Sequence, residues 1–466
     1  MRRRVIGIET EYGLTCATRS GAPPTHDADA AARLLFAPLA LSGRAPNVYL
    51  RNGGRLYLDV GAHPEYATAE CDSFEDLLAQ HRCGDELLNQ LNDRTRAELE
   101  GLADPERIYL FRNNVDSAGN SFGCHENYLL HRRRDFRQVA QGLVAFFVTR
   151  LVLVGAGHLR RSGSKLAYCF SQRAEQMWEA VSSATTRTRP IINTRDEPLA
   201  DAGQYRRLHV ISGDTNMCEA TTFLKVGMTS LVLDAVEDGM NLSDLELADP
   251  MLAIRQFNQD LSAQVKVPMA HGGELSALDI QERILQRVID VLGIDIGDSS
   301  CDTSTRQVID LWQRALAALR SGDWSSVDRE LDFAIKFRLI QEYLKRKQTT
   351  LDDPRVARLL LLYHDIGPNG LRRGLENSGL MRRLTTDDHV QQACIQAPRS
   401  TRAHLRSSII NAAEAAGVEL AIDWVRASRI DDPSRYVLMN DPFATGSESV
   451  DQFISGLRAR DEFLPA

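Results

Sequence analysis

The sequence predicts an α+β fold built on an antiparallel β-sheet. Segments that read as strands gather toward the N-terminus, whereas from Glu219 to about Arg346 apolar residues recur at helical spacing. Two of the early strands carry carboxylates along one face, a pattern suited to a concave polar sheet. Neither a G-x-G-x-x-G fingerprint nor a Walker A lysine motif occurs, so a nucleotide site here must be of another kind.

The elements follow in order. Val5–Gly13 reads as a strand whose Glu9 and Glu11 project to one side. After a short connection, Ser20 to Arg44, with a helix from Asp29 to Leu41, the run Arg55–Val60 alternates Leu56, Leu58 and Val60 with Arg55, Tyr57 and Asp59. A helix is expected from Phe74 to Leu102, then strands over Arg107–Asn114 and Cys124–Tyr128, and a helix over residues 137–153. Ile191–Arg195 and Tyr205–Ile211 read as further strands. In the helical stretch, Ile309, Leu311, Trp312, Leu316 and Leu319 mark one buried face. Past Pro398 the texture changes. A helix (Thr401 to Ala416), strands (Glu419 to Trp424, Tyr436 to Met439) and a closing helix (Val450 to Arg460) suggest a small second domain, 397–466, after a large one, 1–396.

At 466 residues, with 43% hydrophobic and 25% charged residues, the chain can bury a sizeable core. A net charge of −8 argues against general nucleic-acid binding. Cys16, Cys71, Cys83, Cys124, Cys169, Cys218, Cys301 and Cys394 are scattered and form no C-x-x-C pair, as expected of reduced thiols in a cytoplasmic protein. Arg2-Arg3-Arg4 lacks the apolar run of a signal peptide. The apolar stretch Gly142 to Gly157 is interrupted by Thr149 and Arg150, so no membrane span is expected.

Glu9 and Glu65 are the leading magnesium ligands, with Tyr57 in the same polar layer and Glu11 and Glu70 as secondary candidates; such carboxylates are costly to desolvate without a cation. Arg55 and Thr68 suit phosphate, through a planar fork and a hydroxyl. Strand alternation places Arg207 with His209 and opposite Arg206, making Arg207 a candidate clamp for a transferred phosphoryl group. Asn193, Arg195, Asp196 and Glu197 form a polar cluster that faces substrate or braces a loop. His125 and Glu126 are either supporting or structural. The basic clusters 131–134, 187–189 and 206–207 are solvated faces or steer an acidic partner. Trp424, at the domain boundary, is core or a cover for an adenine ring.

The segments Gly7–Gly13 (GIETEYG), Asn52–Cys71 (NGGRLYLDVGAHPEYATAEC), Cys124–Tyr128 (CHENY), Ser182–Arg187 (SSATTR), Ile191–Pro198 (IINTRDEP) and Tyr205–Val210 (YRRLHV) closely resemble the Pup ligase family, as do Tyr363–Ile366 and Asp423-Trp424. The resemblance runs nearly end to end. It implies a glutamine synthetase-like large domain with a curved antiparallel sheet packed by helices, plus a small C-terminal α/β domain. It also implies an ATP- and Mg2+-dependent ligase that joins the C-terminal glutamate of Pup, a small disordered protein tag, to substrate lysines, marking proteins for the proteasome. On this resemblance Glu9, Tyr57 and Glu65 look like magnesium ligands, Arg55, Thr68 and Trp424 like ATP contacts, and Asp59 like the catalytic base. Leu199 stands where the family usually has histidine, so the resemblance assigns that position no role.

Three rival classes remain. The sister depupylase branch carries a long loop for which the Ser20–Tyr49 connection is too short. A silent Pup-binding adaptor would be expected to lose magnesium ligands. A metabolic glutamate ligase would share the chemistry without these motifs.

Overall fold

The structure, a computed structural model, describes residues 1–41, 47–59, 61–116, 118–163, 165–184 and 189–458. Its centre is an eight-stranded sheet in the order Glu179–Ser182, Pro190–Asn193, Tyr205–Val210, Cys124–His131, Ile6–Glu11, Pro64–Ala67, Arg55–Leu58, Asn47–Tyr49. Every neighbouring pair is antiparallel except the first, which is parallel. The expected α+β class holds.

One sheet face is apolar. Ile8, Leu56, Tyr66, Tyr128, Ile192 and Leu208 pack with Phe146 and Val148 of the helix Phe136–Val154 and Leu231 of the helix Glu219–Glu237 in one core. The helix Phe136–Val154 is long and apolar enough to cross a membrane, but 78% of its apolar window is buried inside the protein. The helix Phe74–Glu100 begins where the Ser73 side chain accepts from the Asp76 amide, with Glu75 and Asp76 in its first turn. On Thr303–Ser321, Ile309, Leu311, Trp312, Leu316 and Leu319 are all buried, as their spacing predicts.

Several expectations need correction. The strand predicted over residues 55–60 ends at Leu58, and Val60 lies outside the described residues. The Glu9 strand does not pair with it directly, because Pro64–Ala67 forms a strand of its own between them. The Arg107 strand spans Glu106–Phe111 and pairs with Gly13–Thr18 in a separate two-stranded sheet. The hairpin His158–Ser162 with Lys165–Cys169 was not foreseen, nor was the small pair Lys266–Pro268 with Glu274–Ser276 inside the helical region.

Residues beyond Pro398 gather around a separate small core of Leu405, Ile409, Ala427, Val437, Met439 and Val450. There the helices Ala403–Ala415 and Glu448–Arg458 pack with three antiparallel strands, of which Arg426–Arg429 was unpredicted.

Glu126, on the apolar side of its strand, is structural. Its carboxylate takes two bonds from Arg150, at 2.7 and 2.8 Å, and one from the Tyr128 hydroxyl at 2.6 Å. Burial alone would raise this carboxyl, but Arg150 and Lys225 hold it below its ordinary 4.5. The stability it contributes is therefore complete above that value and is lost as pH falls. Glu126→Gln leaves Arg150 without its counter-charge and is expected to cost about 3–5 kcal/mol by urea unfolding. Between about pH 5 and pH 3 the parent is expected to lose stability more steeply than the variant; equal slopes would mean that the pair contributes nothing.

Candidate active site

Strand register decides which side chains share the polar face. Tyr57 lies opposite Glu65, and Glu65 opposite Glu11. In the next row Arg55, Ala67, Glu9 and His125 stand in line. Beyond it run Gly7, Asn127, His209 and Asn193, and then Leu129 opposite Arg207. Since alternate residues of a strand point the same way, these positions form one surface. Arg206 faces away, with its guanidinium over the Phe136 ring at 3.9 Å.

Two clusters emerge on this surface. Glu11, Asp59 and Glu65 bring carboxylate oxygens within 4.8 Å of one another. Asp59 joins them from a tight turn just after its strand. Its amide donates to the His63 carbonyl and its carbonyl accepts from the Ala62 amide, while Gly61 takes the left-handed conformation that the bend requires (φ 93°). Tyr57 stands opposite Glu65, and burial beside Glu9 and Glu65 pushes its phenol far up, so Tyr57 is a neutral ligand or donor. Burial also raises Glu65, and the negative charges of Glu9, Glu11 and Asp59 push it further.

The second cluster is Glu9, His125 and His209, again with donor atoms within 4.8 Å. Glu9 accepts from Asn127 at 3.0 Å and meets His125 at 3.2 Å. His209 and Arg207 stand 3.8 and 3.9 Å from its oxygens. Burial tends to raise Glu9, but the bond to His125 and the nearby charge of Arg207 hold it well below the usual carboxylate range. His209 is pushed down to about 3, mainly by burial, and is neutral. Neither of its buried ring nitrogens has a hydrogen-bond partner. That leaves an imidazole lone pair beside a carboxylate, a donor set that fits a divalent cation. Around Glu11 and Glu65 the donors are hard oxygens, which fit magnesium.

Thr68, Trp424, Arg207 and Glu9 line one cavity of about 580 Å³, part of it open to solvent. Gly7, Leu199, Arg402 and Pro442 complete much of its wall. The Thr68 hydroxyl oxygen accepts from the Ile8 amide at 3.1 Å. Arg207 is held by Asn127 at 3.0 Å and by Glu197 at 3.1 Å. Arg55 lies beside this cavity, with its guanidinium bonded to Asn47, 4.1 Å from the Tyr57 ring centroid and 5.6 Å from that of Tyr49, which itself stands 5.2 Å from the Trp424 ring. The sequence-predicted residues therefore fall into two groups, Tyr57, Asp59 and Glu65 around the acidic cluster and Thr68, Arg207 and Trp424 around the cavity, with Arg55 between them. Glu9 lies in the row of Arg55 and lines the cavity.

Two secondary candidates part company. Glu11 joins the acidic cluster, whereas Glu70 lines the cavity with its carboxylate bonded to Arg402 and Arg406. Asn193 belongs to the face, whereas Arg195 and Glu197 pair with each other at 3.3 Å. Arg132 and Arg133 form ion pairs with Asp196 and Asp135, as solvated charges do. Residues 185–188 lie outside the described residues. Sequence reading gave no metal role to His209, although its alternation with Arg207 carried the signal.

The sequence profile of the family described as Pup-ligase protein matches residues 4–428. The chain belongs to the Pup ligase family. The Pup–protein ligase of Xylanimonas cellulosilytica is 50% identical over 463 residues, covering 98% of this chain and all of that one. The crystal structure of the ligase PafA in complex with Pup superposes with a TM-score of 0.90 at 40% identity, covering 98% of this chain and 92% of that chain. A second PafA structure, in complex with ADP, gives 0.83 at 40% identity, with 94% and 95% covered.

In this family member a buried network holds the turn that leads into the Arg55 strand. Asn52 donates to the Tyr66 hydroxyl at 2.9 Å and to the Ala393 carbonyl at 3.0 Å, and its Oδ1 accepts from the Gly54 amide at 3.0 Å. Asn52→Ala releases that amide and is expected to cost about 1–3 kcal/mol. Hydrogen exchange at Gly54 is expected to accelerate together with exchange along Arg55–Leu58. Unchanged protection there would mean that Asn52 does not position the strand.

Proposed function

We propose that this polar face is where ATP, magnesium and the C-terminal glutamate of Pup meet. The chain is an ATP-dependent Pup–protein ligase, which forms an isopeptide bond between that glutamate and a substrate lysine. One observation carries the reading: two clusters of metal-ligating side chains and the cavity with Thr68 and Trp424 share one face in a chain similar end to end to Pup–protein ligases. The depupylase alternative is not favoured, because the full-length relatives are ligases.

The first step transfers the terminal phosphoryl of ATP to the glutamate γ-carboxylate of Pup. This gives an acyl phosphate and ADP. Thr68 and Trp424 hold the nucleotide, Arg55 contacts phosphate, and Arg207 stabilises the moving phosphoryl group. Glu9, Tyr57 and Glu65 would hold magnesium, with His125, His209 and Glu11 completing the donor sets. When bound, magnesium neutralises phosphate charge.

The second step is attack by lysine. With an ordinary value near 10.4, its amine is neutral at pH 7 only at a cost of about 3.4 units, or roughly 4.6 kcal/mol. Asp59 takes the proton as the carbon–nitrogen bond forms and phosphate leaves. Glu11 and Glu65 support this role by drawing the ammonium to Asp59.

Pup docks while disordered, and an acidic chain can steer it only through local basic clusters. All eight cysteines are free thiols, as suits a reducing, cytoplasmic setting. The separate core past Pro398 supports the division into domains 1–396 and 397–466.

Purified protein mixed with glutamate-ended Pup, ATP–magnesium and a lysine-bearing protein is expected to yield a covalent adduct and ADP. Asp59→Asn keeps ADP affinity but slows conjugation by about 100-fold or more; conjugation at the parent rate would remove Asp59 from the mechanism. Gly123→Ala tests the metal assignment. A Cβ there meets the His125 ring nitrogen, and the Glu11 carboxylate at 2.7 Å. Magnesium at about 100 times its Kd is expected to stabilise the parent by about 2.7 kcal/mol in thermal unfolding, and the variant by markedly less. An equal gain would place the cation elsewhere.

A further inference from the structure

The cavity that contains Thr68 and Trp424 has a floor of central strands, and three parts of the chain far apart in sequence meet at its rim: the continuation of the Pro64–Ala67 strand, the loop through Pro198 and Leu199, and the small C-terminal unit with Trp424 and Pro442. Sheet residues brace the last two separately, Arg207 through the Glu197 carbonyl at 3.1 Å and Tyr49 against the Trp424 ring at 5.2 Å, but tying them to each other and to the first needs further bonds. Two adjacent buried arginines supply them. Arg402 lies at the start of the helix Ala403–Ala415 and is 3% exposed. Its Nε donates to Glu70 at 2.9 Å, one terminal nitrogen donates to the Met439 carbonyl at 3.0 Å, and the other donates to the Leu199 carbonyl. Its backbone amide donates to the Pro442 carbonyl at 3.1 Å. One turn later, Arg406 donates to Glu70, to the Gly53 carbonyl at 2.8 Å and to the Trp424 carbonyl at 3.2 Å, with its guanidinium 4.8 Å from the Trp424 ring centroid.

Leu199 supplies an independent sign that this wall is held in place. It has φ 51°, a left-handed conformation unfavourable for a residue with a Cβ, and its carbonyl is the one that Arg402 grips. The loop is pinned again where the Asp201 amide donates to the Asn440 carbonyl at 3.0 Å.

We propose that Arg402 is a positioning residue of the nucleotide site, seconded by Arg406. Its guanidinium draws the Leu199 loop and the Met439–Pro442 turn against the Glu70 strand, so that the cavity has its nucleotide-accepting shape only when all three bonds are made. The inference rests on the reading that ATP occupies this cavity. It adds that the small C-terminal unit shapes nucleotide binding through one side chain that does not itself carry out the reaction.

The distinguishing substitution is Arg402→Lys. A lysine keeps the positive charge beside Glu70, but a single ammonium cannot reach the Met439 and Leu199 carbonyls in the directions of a planar fork. With the full chain, KM for ATP is expected to rise about tenfold or more, as when hydrogen bonds to a charged group are released. The kcat at saturating ATP is expected to stay within about threefold and KM for Pup to stay unchanged. A merely structural role would lower kcat through loss of active molecules and leave KM for ATP alone. A KM for ATP within about twofold of the parent in folded Arg402→Lys overturns the proposal. Should that variant not fold, hydrogen exchange on the parent decides: magnesium–ADP is expected to slow the amides of residues 199–204 and 437–442 together, and no change in either overturns it. Calorimetry of ADP with Thr68→Val and Trp424→Ala separates the two readings. If neither weakens ADP, the nucleotide lies elsewhere; if both do and Arg402→Lys does not, only the positioning role fails.

Discussion

Mutual repulsion of carboxylates on one sheet face is the constraint around which this molecule is arranged. Glu9, Glu11, Asp59 and Glu65 are placed within a few ångströms of their neighbours by strand register and a single turn. Their desolvation is unfavourable, and each additional charge makes the next harder to ionise. The consequence is visible in how differently the four are supported. Glu9 is bonded to His125 and Asn127 and stands near Arg207, whereas Glu65, beside Tyr57, faces three negative neighbours. A face built in this way keeps its charges close together only because register leaves them no other place.

Such a face needs a rigid back, and the opposite side of the same strands supplies it. Thr10, between Glu9 and Glu11, points into the core and meets His81 at 3.1 Å. Arg112 binds both His81 and Asp85, and Asp85 also accepts from the Tyr12 hydroxyl and from Arg372. Across the sheet, Glu126 and Arg150 do the same for the strand that carries His125 and Asn127. These bonds anchor strands through residues of one parity, while those of the other parity face the substrate. Buried ion pairs add little net stability against apolar replacements, but they fix geometry, and geometry is what a carboxylate row requires.

Much of the face was legible because parity is a local property. Arg207 with His209, Glu9 with Glu11, and Arg55 with Tyr57 can be read from alternation without knowledge of the partner strands. Parity also explains two readings that remained open. Within one strand His125 and Glu126 have opposite parity, so one had to face away; the hydrophobic residues at 124, 128 and 130 pointed to Glu126. Glu70 lies five positions from Glu65, on the far side of a strand end, where a buried guanidinium rather than a cation meets its charge. Strand order was not legible, since it depends on pairings such as Ile6 with Tyr128 and Tyr205 with His131, and only the second joins strands from the middle of the chain. The Glu65 strand was missed because Pro64 and the preceding turn read as punctuation, and short pairs such as Lys266–Pro268 carry too few residues to show a period.

The position of Asp59 resolves a difficulty in assigning it the lysine proton. A carboxylate close to divalent cations is a poor base, and one inside the strand would be as firmly enclosed as Glu65. The chain instead ends the strand at Leu58 and turns at once through Gly61, leaving Asp59 half-buried at the rim of the acidic cluster. There it can meet an ammonium entering from solvent while Glu11 and Glu65 lie behind it. The cluster thus depends on two separate devices, strand register for Glu11 and Glu65 and the turn for Asp59. That is why register and turn matter more here than the identity of a single side chain.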